Sequence, residues 1–217
     1  MDNKFILGVI VVVVAFLGGI IVFKDDSEST SVSVPASNHV IGAEQPKVVL
    51  TEYGDFECPA CALYYPVLEE VKEKYKDSLQ FQYRHFPLVA LHPNAMIAHR
   101  AAEAAGLQGQ FFEMHDLMYQ NQQMWNSQAT QNPTSIFESY AQQLGLDVDQ
   151  FKTDMASSSV NAQIQADIAA GNAIGASGTP TFAINGERIE TPDRTLESFS
   201  AVIDAALEES TDSETEN

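Results

Sequence analysis

Apolar residues fall along this chain in three different rhythms. From Phe5 to Phe23 they run unbroken, FILGVIVVVVAFLGGIIVF, long enough to cross a hydrocarbon core as a helix. Through residues 24–38 large side chains almost vanish, and the Ser-rich stretch SESTSVSVPAS reads as a flexible linker. From residue 39 onward short β-branched runs alternate with helical spacing. Val48 to Tyr53 suits a buried strand, and His39 to Ile41 an edge strand before it. From Cys58 to about Lys76 the residues Val67, Leu68, Val71 and Tyr75 recur at three- and four-residue steps, as on one helix face. Leu79 to Phe86 alternates as a second strand.

The rhythm changes again at Pro93. Helical stretches are predicted for Asn94 to Ala105, Phe111 to Gln122 and Thr134 to Leu144. A fourth opens at Asp147, and a fifth is capped by Ser158 or Ser159 and runs to about Ala170. After Gly175 to Pro180 breaks the pattern, Thr181 to Ile184 and Arg188-Ile189 flank Asn185-Gly186, the signal of a tight hairpin. Thr195 to Leu207 closes as an amphipathic helix. The order β–α–β, helices, β–β–α predicts an α/β domain over residues 39–208, with a helical insertion at about 92–174. The last stretch, residues 209–217, is nearly all Glu, Asp, Ser and Thr and is expected to be a disordered tail.

The apolar run at 5–23 ends without a small-residue cleavage pattern, so it reads as a retained anchor rather than a cleaved signal peptide. Lys4 and the terminal amine of the four-residue flank favour an N-inside orientation, which puts the domain outside the cell membrane as a single-pass protein. Charge narrows the partners. With 11 Lys and Arg against 30 Asp and Glu, net charge -19, the chain is unsuited to nucleic acid.

The two cysteines, Cys58 and Cys61, are three residues apart. A bridge over so short a loop adds little stability, so another reason must keep the thiols adjacent. At the start of a helix, residues i and i+3 share a face, and free N–H groups favour a thiolate. Cys58, at the exposed tip, is the candidate nucleophile, and Cys61, one turn in, the resolving thiol. Pro59 suits the first helical turn. Half of a zinc site is the alternative, but no second pair exists, and His39, His85, His92, His99 and His115 show no ligand spacing. No metal and no cofactor beyond the cysteine pair is expected.

The segment Thr51 to Cys61, TEYGDFECPAC, resembles the active-site entry of DsbA-like proteins of the thioredoxin superfamily. Glu52 lies six residues before Cys58, where the superfamily often has a buried acid under the second cysteine. Pro66 lies where related proteins kink this helix. Gly178 to Phe182, GTPTF, resembles the family's cis-proline loop. The resemblance spans about Val40 to Leu207 and implies a thioredoxin fold with an inserted helical domain.

The resemblance also implies roles. Glu52 would accept a proton from Cys61, although strand alternation alone leaves it equally free to face solvent. Pro59, Ala60, Thr179 and Pro180 would shape the site, with Thr179 offering backbone to an extended substrate. Where strong oxidants of the family often carry His, this chain has Ala60, and the nearby Asp55 and Glu57 should oppose a thiolate. The implied activity is oxidation of cysteine pairs in exported polypeptides, with a membrane redox partner. A reductase or isomerase of the same fold, and a non-catalytic polypeptide-binding module, remain open.

Overall fold

A computed structural model describes residues 34–215. The expected anchor at 5–23 and the linker as far as residue 33 lie outside the described residues. Among those that are described, no helix is long and apolar enough to cross a membrane.

Five strands form one sheet in the order β1-β3-β2-β4-β5: β1 (His39–Gly42), β2 (Val48–Gly54), β3 (Leu79–His85), β4 (Thr181–Ile184) and β5 (Glu187–Arg188). β2 and β3 run parallel, joined by helix α1 (Pro59–Lys74), and the other pairings are antiparallel. The helical insertion supplies α2 (Ala95–Gly106), α3 (Phe111–Gln120), α4 (Gln122–Trp125), α5 (Thr134–Gln143), α6 (Val148–Met155) and α7 (Ser158–Ala173), and α8 (Leu196–Thr215) closes the chain. Asp147 caps α6 through its side chain, and Ser157, one residue earlier than predicted, caps α7.

Side chains alternate across β2, so the register sorts its two faces. Leu50 and Glu52 pair with Phe81 and Tyr83, and Glu52 also with Phe182. These side chains share the main core with Phe56, Leu68, Val71, Phe199 and Ile203. Tyr53 points the other way and packs with Phe86, Ala176 and Ile168 beneath α7. There Gly171 permits contact, because a Cβ at that position would lie 2.8–2.9 Å from the rings of Phe86 and Tyr53. The hairpin turns on Asn185 and Gly186, both at positive φ. The Asn185 side-chain carbonyl also accepts a bond from Val49 N, tying the turn to β2.

At both ends of the domain the boundary differs from expectation. The linker ends before Ser37, which is buried and donates its N–H and hydroxyl to the Asp167 carboxylate at 2.6 and 2.5 Å. That buried carboxylate also receives Arg84 and the N–H of His85, and anchoring Ser37 completes its hydrogen bonds. The helix α8 continues to Thr215, into the stretch expected to be disordered. A helix already nucleated on the core extends at little cost per residue.

Candidate active site

Cys58 is the N-cap of α1, with extended backbone (φ -66°, ψ 122°), and Pro59 opens the helix. The N–H of Cys58 bonds to Asp55 O at 3.0 Å, which closes the turn between β2 and α1. Gly54, at the end of β2, faces the Tyr83 ring, and a Cβ there would lie 2.6 Å from it. The chain can therefore leave the sheet close to β3 and place both cysteines over the core. Cys58 is only 6% exposed, so it is not the open tip expected, and Cys61 is 1% exposed. The cover comes from the other side of the site. The Thr179–Pro180 peptide bond is cis, and Cys58 Sγ donates to Thr179 O at 3.5 Å. Gln122 of α4 donates to the carbonyls of Phe56 and Cys58 at 2.8 and 3.0 Å.

The two sulfurs are within hydrogen-bonding reach of each other, and their acidities diverge. Cys58 is pulled down to about 5, chiefly because the Cys61 thiol donates to it. Burial opposes this, while the Thr179 hydroxyl and the backbone N–H groups of Cys61 and Ala60 add donors. The amide-rich helix tip thus contributes, but the neighbouring thiol contributes more. A Cys58 thiolate cannot donate to Thr179 O, and on that side the Thr179 hydroxyl, which has no partner among the described residues, is placed to donate instead. Burial pushes the Cys61 thiol well up, and the bond to Cys58 and the Glu52 carboxyl raise it further.

Glu52 is buried, 1% exposed, rather than facing solvent. Desolvation raises its carboxyl to about 8, against the pull of Lys72 and of a hydrogen bond with Cys61. Its Oε1 has no partner among the described residues. A carboxyl poised near neutral pH beside a high-pKa thiol can take that thiol's proton.

Asp55 and Glu57, expected to oppose a thiolate, are tied into the structure as hydrogen-bond acceptors. Asp55 is fully buried and accepts bonds from Glu57 N, Leu88 N and His92 Nδ1 at 2.9, 2.8 and 2.7 Å. Burial would raise this carboxyl, but the bond from His92 and the nearby His99 ring hold it well below the usual range. The same pairing raises His92, which lies near enough to feel Cys58. Glu57 accepts Asn94 N and Ser127 N, both at 2.6 Å. The two acids therefore staple the active-site turn to the helical insertion. Trp125 is core, with its ring N–H on Met118 O.

Sequence spacing did not single out Gln122, Asn94 or the contact of His92 with Asp55, because each reaches the turn from another element. The same holds for His39, His85 and Glu103, whose ligand atoms lie within 4.8 Å of one another.

Comparison with known proteins bears on the family and the fold. A family profile described as Thioredoxin matches residues 35–205. The chain is 38% identical over 173 residues to a Na(+)/H(+) antiporter NhaA of Salinispora tropica, covering 80% of this chain and 25% of that protein. It is 38% identical over 162 residues to another from Mycolicibacterium gilvum, covering 73% and 25%. The chain thus spans about a quarter of the length of these curated relatives. Among solved structures, it is similar to a thioredoxin-like oxidoreductase of Silicibacter pomeroyi (TM-score 0.66, 24% identity, 78% of this chain and 91% of that one). It is also similar to α-DsbA1 of Wolbachia pipientis (TM-score 0.68, 20% identity, 83% and 96%). BdbD of Bacillus subtilis matches as well (TM-score 0.67, 15% identity, 81% and 98%). At these identities the likeness is one of fold.

Proposed function

The chain belongs to the thioredoxin family, and from that premise we propose that it is a thiol–disulfide oxidoreductase acting on cysteine pairs of exported polypeptides. In the oxidising direction a substrate thiolate attacks the Cys58–Cys61 disulfide at the Cys58 sulfur. A mixed disulfide forms and Cys61 leaves as a thiolate, which Glu52 can protonate. A second substrate thiolate then attacks the substrate sulfur of the mixed disulfide. Cys58 leaves as a thiolate, the substrate gains a disulfide, and both electrons rest on the enzyme's pair.

The observation that carries the reading is the split between the two sulfurs: Cys58 near 5 and Cys61 well above the ordinary thiol range. A stabilised thiolate is a good leaving group and favours the reduced form of the enzyme, which makes the disulfide an oxidant. Thr179, its backbone against Cys58, and Pro180 offer an edge along which an extended substrate can lie. The cycle needs an acceptor to re-oxidise the pair. The apolar run at 5–23 supports a membrane anchor with the domain outside the cell and a redox partner in the same membrane.

One observation favours a second reading, reduction. Glu52 beside Cys61 can deprotonate the resolving thiol, which is the step that releases a reduced substrate. Equilibration with glutathione separates the two. A potential above about -180 mV supports oxidation, and one near about -270 mV supports reduction. Loss of both activities in Cys58→Ser is required by either reading, and full activity in that variant removes both.

A further inference from the structure

Apart from the cysteine pair, the fold gathers a second group of chemistry-bearing side chains. His39 pairs with Tyr83 across β1 and β3, and His85 lies two residues further along the same face, so the two imidazoles are diagonal neighbours. Glu103 of α2 meets both. Its Oε1 lies 2.7 Å from His39 Nε2 and 2.8 Å from His85 Nε2. His39 is stacked on Phe111, ring centroids 3.6 Å apart and 4° from parallel. His85 is fully buried, with its Nδ1 2.6 Å from His99 Nδ1.

We propose that His39 Nε2, His85 Nε2 and the Glu103 carboxylate form a binding site for a zinc-class divalent metal ion. Two imidazole nitrogens and one carboxylate suit zinc, cobalt or nickel, whereas calcium and magnesium require oxygen ligands. Bonds of about 2.0–2.2 Å at tetrahedral angles place ligand atoms about 3.4 Å apart. The present separations of 2.7 and 2.8 Å would therefore open by roughly 0.6 Å, within reach of a carboxylate rotation. The side chain of His39 is 18% exposed, which leaves a route to solvent and a fourth position for water.

The surrounding partners fit a ligand role for His85. A ligating imidazole donates its other N–H to a fixed acceptor. With a proton on His99 Nε2 facing Asp55 Oδ1 at 3.7 Å, His99 Nδ1 accepts from His85 Nδ1. In the metal-free protein His85 Nε2–H donates to Glu103; an ion would replace that proton and take the Nε2 lone pair. The site connects through His99 to Asp55, the carboxylate that holds the active-site turn, but it does not depend on the redox reading.

Cobalt(II) added to the oxidised full chain tests the site, since the closed disulfide leaves no thiol to ligate. The expected result is one equivalent bound, with the visible absorption of a four- or five-coordinate ion, no sulfur-to-cobalt charge-transfer band, and displacement by zinc. His39→Ala should weaken binding by more than about a hundredfold, since even loss of an outer partner costs 10–100-fold. His39→Gln, whose amide can keep the bond to Glu103, should fold and still lose binding to a similar degree. Failure of the parent protein to bind, or binding unchanged in the folded His39 variants, overturns the proposal.

Discussion

The Glu52 carboxyl lies within hydrogen-bonding reach of the Cys61 thiol, beneath the first turn of α1, and its Oε1 has no hydrogen-bond partner among the described residues. Burial keeps this carboxyl protonated up to about pH 8 in the folded protein, against an ordinary value of 4.5. The sign of its effect on stability follows. Between these two values the folded state holds a proton that the unfolded state has lost, so stability falls as pH rises from 4.5 to about 8.

Glu52→Gln removes that dependence. The reduced variant should be more stable than the parent at pH 8, with the gap closing towards pH 4.5. Each unit of displacement corresponds to about 1.4 kcal/mol. The same variant should slow resolution of a mixed disulfide by Cys61 at least about tenfold. Urea titrations at several pH values and single-turnover kinetics check the two effects, and an unchanged resolution rate would remove Glu52 from the chemistry.

Cys58 acts in the opposite direction over much of the same range. Its thiol is lowered from 9 to about 5, so it contributes stability to the reduced protein that is fully present above pH 9 and lost as pH falls through 5. Reduced Cys58→Ser should lack this slope. Comparing each variant with the parent isolates two contributions that partly cancel in the intact protein.

The Thr179 hydroxyl is buried with no hydrogen-bond partner among the described residues, and it helps lower the Cys58 thiol. Thr179→Val keeps the shape and removes the donor. The Cys58 pKa should rise, by less than the loss of the larger Cys61 contribution would cause, and the couple should become less oxidising. An unchanged alkylation profile would show that the hydroxyl does not face the sulfur.

Much of this was legible in the chain. Asn185-Gly186 marked the hairpin because few other residue pairs tolerate two positive φ values in succession. Pro59 marks the helix start because its missing N–H is no loss in the first turn. The sequence was silent where function depends on elements distant along the chain. Alternation on β2 could not decide which face Glu52 takes, since both faces of that strand are buried. Asp55 and Glu57 looked like free charges, and only the return of His92 and Asn94 to the turn shows them as acceptors of N–H bonds. His39, His85 and Glu103 converge only once β1 pairs with β3 and α2 packs beside them.

Glu57 tests that stapling role. Its two oxygens accept the N–H groups of Asn94 and Ser127. Glu57→Ala leaves both unsatisfied, at about 1–3 kcal/mol for the buried Asn94 N–H and less for the half-buried Ser127 N–H. The urea midpoint should fall with its slope unchanged. A midpoint equal to the parent's would mean that water replaces the carboxylate freely.

The central claim is that residue 58 carries a stabilised sulfur anion, and the pH dependence of its alkylation in the reduced protein tests this most directly. The rate should rise with a midpoint near pH 5 and level off by neutral pH, with no such phase in Cys58→Ser. A rate that stays low until the pH nears 9, the ordinary value for a cysteine, would contradict it.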